Sequence, residues 1–418
     1  MIRRRGVYHI AGYYPFGGAL WYRYFKREAA AFARLWNVGC EVSDVARPGP
    51  DSSPSWTITT KAKNWQVETR YQPLLWDDIV LADAAEPASR RYRRAFRAIA
   101  DFLLSGTLFR YFRASWQYAF FVLYPFLLLL IFAAIAWAAA GLIAGYFGLS
   151  NGTRITAELV AAIALFLALV QWPGHRWRLQ HALDDWAFSW DYLHLRRPDM
   201  DRRLDDFADE IVAQARRNAV DEIILVGHSM GAALAVDLLA RALARDPNLG
   251  RHGPTLCLVT VGSTIPKFTL HPAGDYIRRR AERIIKDPSI VWAEYHARAD
   301  AISFYKFNAV TLSRFYGDRI DGKPIFRRVR ISHMLSRKTY LRNRFNFMRL
   351  HCQYIMANER RAPYDYFMMI CGPIPFMRYA VNAKGPADLI ALDGALIDPA
   401  MPAPIVTRAT ADAQVQPG

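Results

Sequence analysis

The stretch that decides the fold is Ile223-Ile224-Leu225-Val226-Gly227-His228-Ser229-Met230-Gly231, where an apolar run ends in the pattern G-x-S-x-G. Residues 222–226 predict a short buried strand, and residues 232–244 predict a helix because their apolar side chains recur at helical spacing. A strand that reverses into a helix this quickly strains the backbone at the serine, and the glycines relieve the crowding around it. Ser229 is therefore a candidate catalytic nucleophile.

Two apolar stretches upstream of this motif are long enough to cross a membrane. The first, residues 118–149, exceeds the roughly 20 residues that a hydrocarbon core requires, and Pro125 kinks it or marks its entry. The second, residues 155–172, has about the minimum length, and its one charge, Glu158, lies near the connecting segment. Residues 150–154 between them predict a tight turn, so the two stretches form a helical hairpin. A buried core helix or a re-entrant segment is the alternative for the second stretch.

Flanking charges predict the orientation of this hairpin. The turn holds only Arg154, whereas arginines crowd both outer ends. They are Arg90, Arg91, Arg93, Arg94, Arg97, Arg110 and Arg113 before the first stretch and Arg176 and Arg178 after the second. By the positive-inside rule, both termini and the soluble part of the chain are expected in the cytoplasm, attached to the inner (cytoplasmic) membrane by two spans.

Composition agrees with a membrane-attached protein. The net charge of +17, from 54 basic and 37 acidic residues in 418, suits an anionic lipid surface. A nucleic-acid partner is not expected, because the sequence has no helix-turn-helix, zinc-ligand or RNA-binding signature. The cysteines show no paired spacing, which predicts reduced thiols, and the basic N-terminus is not followed by the apolar region of a signal peptide.

The remaining pattern predicts an α/β fold, with a mostly parallel sheet flanked by helices as in α/β-hydrolases and interrupted by the two-helix transmembrane hairpin. Strands are expected at residues 6–11, 57–60, 66–71, 222–226, 257–261 and 290–297, and helices at 20–36, 90–104, 179–195, 201–217 and 232–244. The helix at 90–104 is basic and amphipathic, with Tyr92, Phe96, Ile99 and Leu103 along one side. It lies on the membrane surface or packs on the soluble domain.

Five segments follow from these predictions. They are 1–89 (first strand, oxyanion loop and β-hairpin), 90–117 (basic juxtamembrane helix), 118–172 (transmembrane hairpin), 173–397 (main part of the hydrolase-like domain) and 398–418 (disordered tail rich in Pro, Ala and Thr). Because two crossings return the chain to its starting side, the first strand and the strand before Ser229 are able to share one sheet. The alternative is a separate small N-terminal domain.

Acyl transfer by serine needs a base beside the hydroxyl, an acid that orients the base, and donors for the oxyanion. In hydrolases with this type of turn, the chain order is Ser, then Asp or Glu, then His. Asp300 directly follows the predicted strand at 290–297, at the end of the sheet where such folds place their sites. Asp318 and Asp321 lie in a polar turn and are poorer candidates for the acid.

Two histidines follow Asp300 and compete for the role of base. His333 follows a further predicted strand at residues 328–332, which is a suitable position for a catalytic histidine. His351 lies among apolar neighbours, where a histidine is more often a core residue. The residues alone leave this choice open.

A resemblance to the class 3 (fungal-type) lipases, a branch of the α/β-hydrolases, adds to these observations. Their turn reads G-H-S-L-G-G-A-L-A, and this chain has GHSMGAALA at residues 227–235. The family carries its acid in a strand-end aspartate, which Asp300 resembles, and its base in an H-x-x-Y sequence, which is similar to His351-Cys352-Gln353-Tyr354. The resemblance covers roughly residues 200 to 360 and implies His351, rather than His333, as the base.

The oxyanion segment of that family has no close copy in this chain. The loop Ala11-Gly12-Tyr13, after the first predicted strand, is the best substitute. The backbone N–H of Met230, together with that of Gly12 or Tyr13, is therefore expected to bind the oxyanion.

The resemblance implies a membrane-anchored serine hydrolase, lipase-like or esterase-like, that cleaves lipid or other acyl esters through an acyl-enzyme. This chemistry requires no metal or organic cofactor. A catalytically inactive membrane-anchored binding or scaffold protein is the main alternative. A transporter or channel is disfavoured, because two spans without a buried charge pair provide no polar pathway.

Overall fold

The computed structural model describes residues 1–46, 53–147, 151–317, 319–320 and 322–397. Asp318, Asp321 and the tail at 398–418 lie outside the described residues.

Strands and helices alternate along much of the chain. The strands are β1 (Arg4–Ile10), β2 (Gly39–Val42), β3 (Trp56–Ala62), β4 (Trp65–Pro73), β5 (Glu222–His228), β6 (Thr255–Val261), β7 (Ile290–Ala297), β8 (Phe307–Asn308), β9 (Ser313–Arg314), β10 (Arg319–Ile320) and β11 (Ile325–Val329). The α-helices are α1 (Gly18–Trp36), α2 (Asp77–Ala85), α3 (Ala88–Leu104), α4 (Thr107–Ala114), α5 (Trp116–Tyr146), α6 (Asn151–Leu169), α7 (Leu179–Leu193), α8 (Pro198–Arg216), α9 (Gly231–Arg245), α10 (Ile265–Thr269), α11 (Asp275–Lys286), α12 (Ile331–Met334), α13 (Arg337–Asn343), α14 (Phe347–Cys352), α15 (Tyr366–Cys371) and α16 (Phe376–Val381).

One mixed sheet organises the fold, with strand order β2-β3-β4-β1-β5-β6-β7-β11 and the two-residue strand β10 at its edge. The run from β4 to β11 is parallel throughout, and the antiparallel hairpin β3–β4 and strand β2 extend one edge. The predicted α/β fold with a mostly parallel sheet is thus confirmed. Because β1 pairs in parallel with both β4 and β5, the N-terminal strands belong to the main sheet, and the alternative of a separate N-terminal domain is wrong.

Side chains of β5 explain why this strand lies at the centre. Ile223 and Leu225 point into one buried layer, formed with helices such as α8, α9 and α11, whereas Ile224 and Val226 point into the other, formed with α1 and α15. Alternate residues of a strand face opposite sides, and a parallel sheet covered on both faces requires apolar residues at every position. The uninterrupted apolar run before Ser229 meets that requirement.

A buried ion pair fixes the end of the sheet that lies opposite the candidate site. The Arg5 Nε donates to Glu222 Oε1 over 2.6 Å, so that β1 and β5 are joined side chain to side chain. The same guanidinium donates to the carbonyls of Gly372 and Ile374, and Glu222 accepts from the Phe376 amide. Both buried charged groups therefore have hydrogen-bond partners, which is the condition for burying an ion pair without a large cost in free energy.

Helices α5 and α6 are long and apolar enough to cross a membrane, and they lie side by side. The core helix of a soluble protein is mostly buried, but only 6% of the apolar window of α6 is buried. The first turns of α5 differ, because Tyr118, Ala119 and Val122 are fully packed in the core of the soluble domain. From Leu127 onward, one side of α5 is buried, with residues such as Leu128 and Phe132, whereas apolar side chains such as Leu130 and Ile131 are exposed.

Several predicted boundaries are corrected. Residues 151–154 form the start of α6 instead of a turn, and a break at Ser105 and Gly106 separates α4 from α3. The predicted strand at 328–332 ends at Val329, and the next residues form the short helix α12, which carries His333.

The apolar side of α3 is also different from the predicted one. Phe96 and Leu103 are exposed, and the helix packs through the set Ala95, Ala98, Ile99 and Phe102. Two arginines hold it against α7: Arg91 pairs with Asp184, and Arg94 pairs with Asp191 at 2.6 Å. This part of the arginine excess is neutralised within the protein, where α3 packs on α7.

Candidate active site

Ser229 occupies the turn between β5 and α9 with a left-handed backbone, φ 59°. A side chain at this φ costs free energy, and such strain persists only where surrounding contacts fix it. Here the Ser229 amide donates to the Val261 carbonyl at 3.1 Å, and its carbonyl accepts from the Thr264 amide at 3.3 Å. The strand β6 and the segment after it therefore hold the turn, and they leave the hydroxyl partly exposed.

The two glycines of the motif are required by close backbone contacts. A Cβ atom at Gly227 would lie 2.6 Å from the Ala232 Cα, and one at Gly231 would lie 2.1 Å from the Ile10 carbonyl oxygen. Neither position admits a side chain without a shift of the backbone. The close approach of β1 to the start of α9 thus explains Gly231, and the close approach of β5 to the same turn of α9 explains Gly227.

Asp300 and His351 form a hydrogen-bonded pair. Asp300 lies in the loop directly after β7 and is fully buried, and its two carboxylate oxygens are 3.0 and 2.9 Å from the His351 Nδ1. The Ile302 amide donates to the same carboxylate at 3.0 Å, which fixes its orientation. A carboxylate accepts only, so His351 carries its proton on Nδ1 and has a free lone pair on Nε2.

The unprotonated nitrogen of His351 is buried and has no hydrogen-bond partner among the described residues. Its imidazole ring lies 4.7 Å, centre to centre, from that of His228, which directly precedes Ser229. His351 and Ser229 line the same cavity. A general base requires an unpaired acceptor of this kind on a cavity that the nucleophile also lines.

His228 is a supporting residue that the sequence did not single out. Its Nε2 donates to the His351 carbonyl at 3.0 Å, which ties the helix of the candidate base to the strand of the candidate nucleophile. Burial holds the pKa of His228 well below its ordinary value, and this keeps the ring neutral. Its position as the second residue of G-x-S-x-G was the only available signal.

The loop at Gly12 packs directly over the serine. A Cβ atom built on Gly12 would be 2.9 Å from the Ser229 Cβ and 3.5 Å from the Met230 amide nitrogen. The Trp76 indole donates to the Ala11 carbonyl at 3.2 Å, and Tyr13 is buried with its hydroxyl on Asp83, so the loop is held on both sides. The amide of Met230, at the start of α9, makes no hydrogen bond within the described part of the chain. The loop at Gly12 and the Met230 amide therefore both lie close to Ser229.

For the ester hydrolysis that the sequence predicts, replacing Gly12 with alanine is expected to lower the rate by about a hundredfold or more, the typical cost of a lost oxyanion donor. The added methyl group would lie 3.1 Å from the Ser229 Oγ and would push the loop off the serine. Initial rates and the melting temperature measure this effect. Gly6→Ala is the matched control, because its methyl group meets no atom closer than 3.7 Å. Full activity in Gly12→Ala would contradict the role of this loop.

A cavity of about 1040 Å³ connects these residues to the first turns of α5. Ser229, Met230 and His351 lie on one side of it, and the first turns of α5 supply much of the rest of the wall. The contributing α5 residues are Trp116, Gln117, Tyr118, Phe120, Phe121 and Tyr124. A volume at the upper end of the roughly 300 to 1,000 Å³ of ordinary ligand sites, with mainly apolar walls, suits a long apolar ligand.

One ion pair lies in this mainly apolar wall. Lys267 is buried, its Nζ is 2.6 Å from Asp185 Oδ2, and it lies 4.0 Å from the centre of the Trp186 ring. Burial lowers the pKa of Lys267 from its usual range, whereas the carboxylate of Asp185 opposes that shift. The pair adds a polar region to the cavity that Ser229 lines.

Asp101, His194 and His271 form a cluster that has the residue types of a metal site. The Ala273 amide donates to the His271 Nδ1 at 3.0 Å, so the ring of neutral His271 carries its proton on Nε2 and donates it to Asp101 at 2.9 Å. That nitrogen has no lone pair left for a metal ion. Asp101 also accepts from the Trp190 indole at 2.8 Å. The donor set therefore fits a hydrogen-bonded cluster and not a metal centre.

His333 lies apart from these residues. It is exposed on α12 and lines a different cavity, of about 260 Å³, with residues such as Arg328 and Tyr364. The structure thus brings Asp300 together with His351 and not with His333.

The resemblance to class 3 lipases stays at the level of short motifs, because no family model, curated protein or solved structure matches this chain. Any assignment of function therefore depends on the arrangement of Ser229, Asp300 and His351 themselves.

Proposed function

We propose that this protein is a membrane-attached serine hydrolase of the α/β-hydrolase type that cleaves carboxylic esters through an acyl-enzyme. The observation that carries the proposal is the pairing of Asp300 with His351 at 2.9 Å in the cavity that Ser229 lines from a strained turn. A serine, a histidine and an aspartate in these positions supply the nucleophile, the base and the group that orients the base.

In the proposed reaction, His351 Nε2 takes the Ser229 proton as the hydroxyl oxygen attacks the ester carbonyl carbon. The Met230 N–H and one N–H of the loop at Gly12 and Tyr13 bind the oxyanion. His351 then gives its proton to the departing alcohol, which leaves an acyl group on Ser229. Water, activated by the same histidine, attacks the acyl-enzyme and releases the carboxylic acid and the free serine. Asp300 holds the imidazole tautomer throughout.

Membrane attachment is the second part of the proposal, with α5 and α6 as two spans and the soluble domain on the cytoplasmic side of the inner membrane. The arginines that flank the apolar helices support this orientation. The outward-facing apolar side chains of both helices support insertion, because water would not stabilise so large an apolar surface.

A lipid ester is the substrate class that the cavity favours. The first turns of the proposed span α5 line the same cavity as Ser229, which would give an acyl chain an apolar surface between the bilayer and the reacting serine. The wall also holds the polar pair Lys267 and Asp185, which suits a molecule with both an apolar tail and a polar part.

Esters of increasing acyl-chain length, presented in vesicles and in detergent, test this substrate class. We expect kcat/KM to rise about fourfold for each added CH₂ until the cavity is filled, because each buried CH₂ contributes about 0.8 kcal/mol. Initial rates over the series, at fixed alcohol group, measure the effect. A flat series, or a preference for short water-soluble esters in vesicles, would contradict a lipid substrate while leaving the ester hydrolase intact.

A further inference from the structure

Residues 337–347, with the sequence RKTYLRNRFNF and here called the basic arm, lead from α13 into the start of α14. The arm carries four cations, Arg337, Lys338, Arg342 and Arg344, and no aspartate or glutamate occurs anywhere in residues 322–358. Such a block of like charge without compensation is typical of a surface that meets an anionic partner.

The cations of the arm are not used inside the protein. Unlike Arg91 and Arg94 of α3, none of the four forms an ion pair with a carboxylate of the described residues, and the Arg344 guanidinium lies 4.7 Å from the centre of the neighbouring Phe345 ring. All four are exposed. Their charge is therefore available to a surface outside the protein.

Apolar side chains of the arm are also exposed. The exposed fractions are 46% for Leu341, 75% for Phe345 and 53% for Phe347, and α13 has no buried residue. The helix is held at its start by a cap instead, in which Ser336 Oγ accepts from the Thr339 amide and Glu359 accepts from the Ser336 amide. Exposed aromatic rings among cations are the composition of a segment that lies in the headgroup region of a bilayer.

The position of the arm points to the same partner. Phe345, Asn346 and Phe347 line the cavity that Trp116 and Phe120 of α5 and Trp177, which follows α6, also line. The arm is thus continuous with the ends of the two proposed spans, where a bilayer surface would lie.

We infer that the basic arm docks on an anionic bilayer surface, with Phe345 and Phe347 among the headgroups and the four cations on lipid phosphates. This inference rests on the proposed membrane attachment and not on catalysis. Docking of this kind holds the mouth of the cavity against the lipid. Each cation near an anionic surface favours the docked state by about fivefold.

A fluorescent label on the arm tests the inference in the full chain. The parent carries Ser229→Ala, so that catalysis plays no part, and Cys40→Ser and Cys352→Ser, because Cys257 and Cys371 are fully buried and do not react. A nitrobenzoxadiazole label is placed at Phe345→Cys, and the chain is reconstituted in phosphatidylcholine vesicles with or without phosphatidylglycerol. Lipids that carry a nitroxide then quench a label that enters the bilayer.

The matched control is the same label at Arg217→Cys. This exposed position precedes β5, whereas Ser229 follows β5, so the two residues lie at opposite ends of the strand. We expect quenching at 345 to exceed that at 217 at least twofold in the anionic vesicles, and to fall when Arg342→Glu and Arg344→Glu are added. Equal quenching at both positions would overturn the inference about the arm alone. Release of the chain from the vesicles by alkaline carbonate would overturn both the membrane attachment and the docking of the arm. Esterase assays of the chain that keeps Ser229 test the proposed catalysis separately, and neither quenching nor carbonate release affects their interpretation.

Discussion

Replacing Ser229 with alanine is expected to lower ester hydrolysis by roughly 10⁴-fold to 10⁶-fold, which is the usual effect of removing the nucleophile of a serine hydrolase. The alanine variant has no oxygen to attack the carbonyl, and only the oxyanion donors and substrate binding remain. The left-handed turn and both glycines are unchanged, so the fold should persist. Initial rates and covalent labelling by a fluorophosphonate, whose phosphorus is attacked by the serine oxygen as fluoride leaves, measure the loss.

Ser263→Ala is the matched control for this prediction. Ser263 is buried just after β6 at the same edge of the sheet, and its hydroxyl accepts from the Ile265 amide at 3.2 Å, outside the wall of the cavity. This variant should react with the fluorophosphonate and hydrolyse the ester at the same rates as the unmodified protein. Equal labelling of Ser229→Ala would exclude Ser229 as the nucleophile. A folded, unmodified protein that does not label would favour the inactive binding or scaffold protein.

The turn that carries Ser229 was predictable because its causes are local. A strand with apolar residues at every position belongs inside a parallel sheet, and two glycines around a serine indicate a backbone too crowded for side chains. The structure places a strand, a left-handed serine and a helix at these residues, and a Cβ atom built on Gly231 or Gly227 would lie 2.1 or 2.6 Å from neighbouring backbone atoms.

The face on which α3 packs was not predictable, since it depends on residues about 90 positions away. Large apolar side chains suggested Phe96 and Leu103, but Asp184 and Asp191 of α7 fix the rotation of the helix by pairing with its arginines. The buried face then uses alanines, which permit close approach of two helices. Amphipathic pattern alone does not distinguish these faces.

Length and hydropathy identified the apolar helix α5 but not its second role. Its first turns lie in the core of the soluble domain, where the Tyr118 ring is 4.0 Å from that of Phe304, and they also form a wall of the cavity. A hydropathy pattern measures only how apolar a segment is, and it does not separate a side chain buried in protein from one exposed to lipid. Helix α5 is therefore both a candidate membrane span and part of the wall of the candidate site.

Replacing His351 with alanine is expected to lower kcat by about 10⁴-fold or more, whereas His333→Ala should stay within about twofold of the unmodified protein. Sequence order left these two histidines equal, since each follows Asp300. In the structure, Asp300 contacts the His351 Nδ1 at 2.9 Å, and His228 holds the backbone of His351 beside Ser229. His333 is exposed on α12 and lines a separate cavity, so it has no path to the serine oxygen.

Rates measured on one ester, together with melting temperatures, separate a lost base from a lost fold. His351 is buried, so His351→Gln is a second variant that keeps more of the side-chain volume and the possibility of a hydrogen bond to Asp300. Both variants should be inactive. At least His351→Gln should keep a melting temperature close to that of the unmodified protein. A His333→Ala protein as inactive as His351→Ala, or a folded His351→Gln protein with full activity, would move the base away from His351. In that case the contact between Asp300 and His351 would be structural, because a buried carboxylate also needs a donor when it takes no part in catalysis.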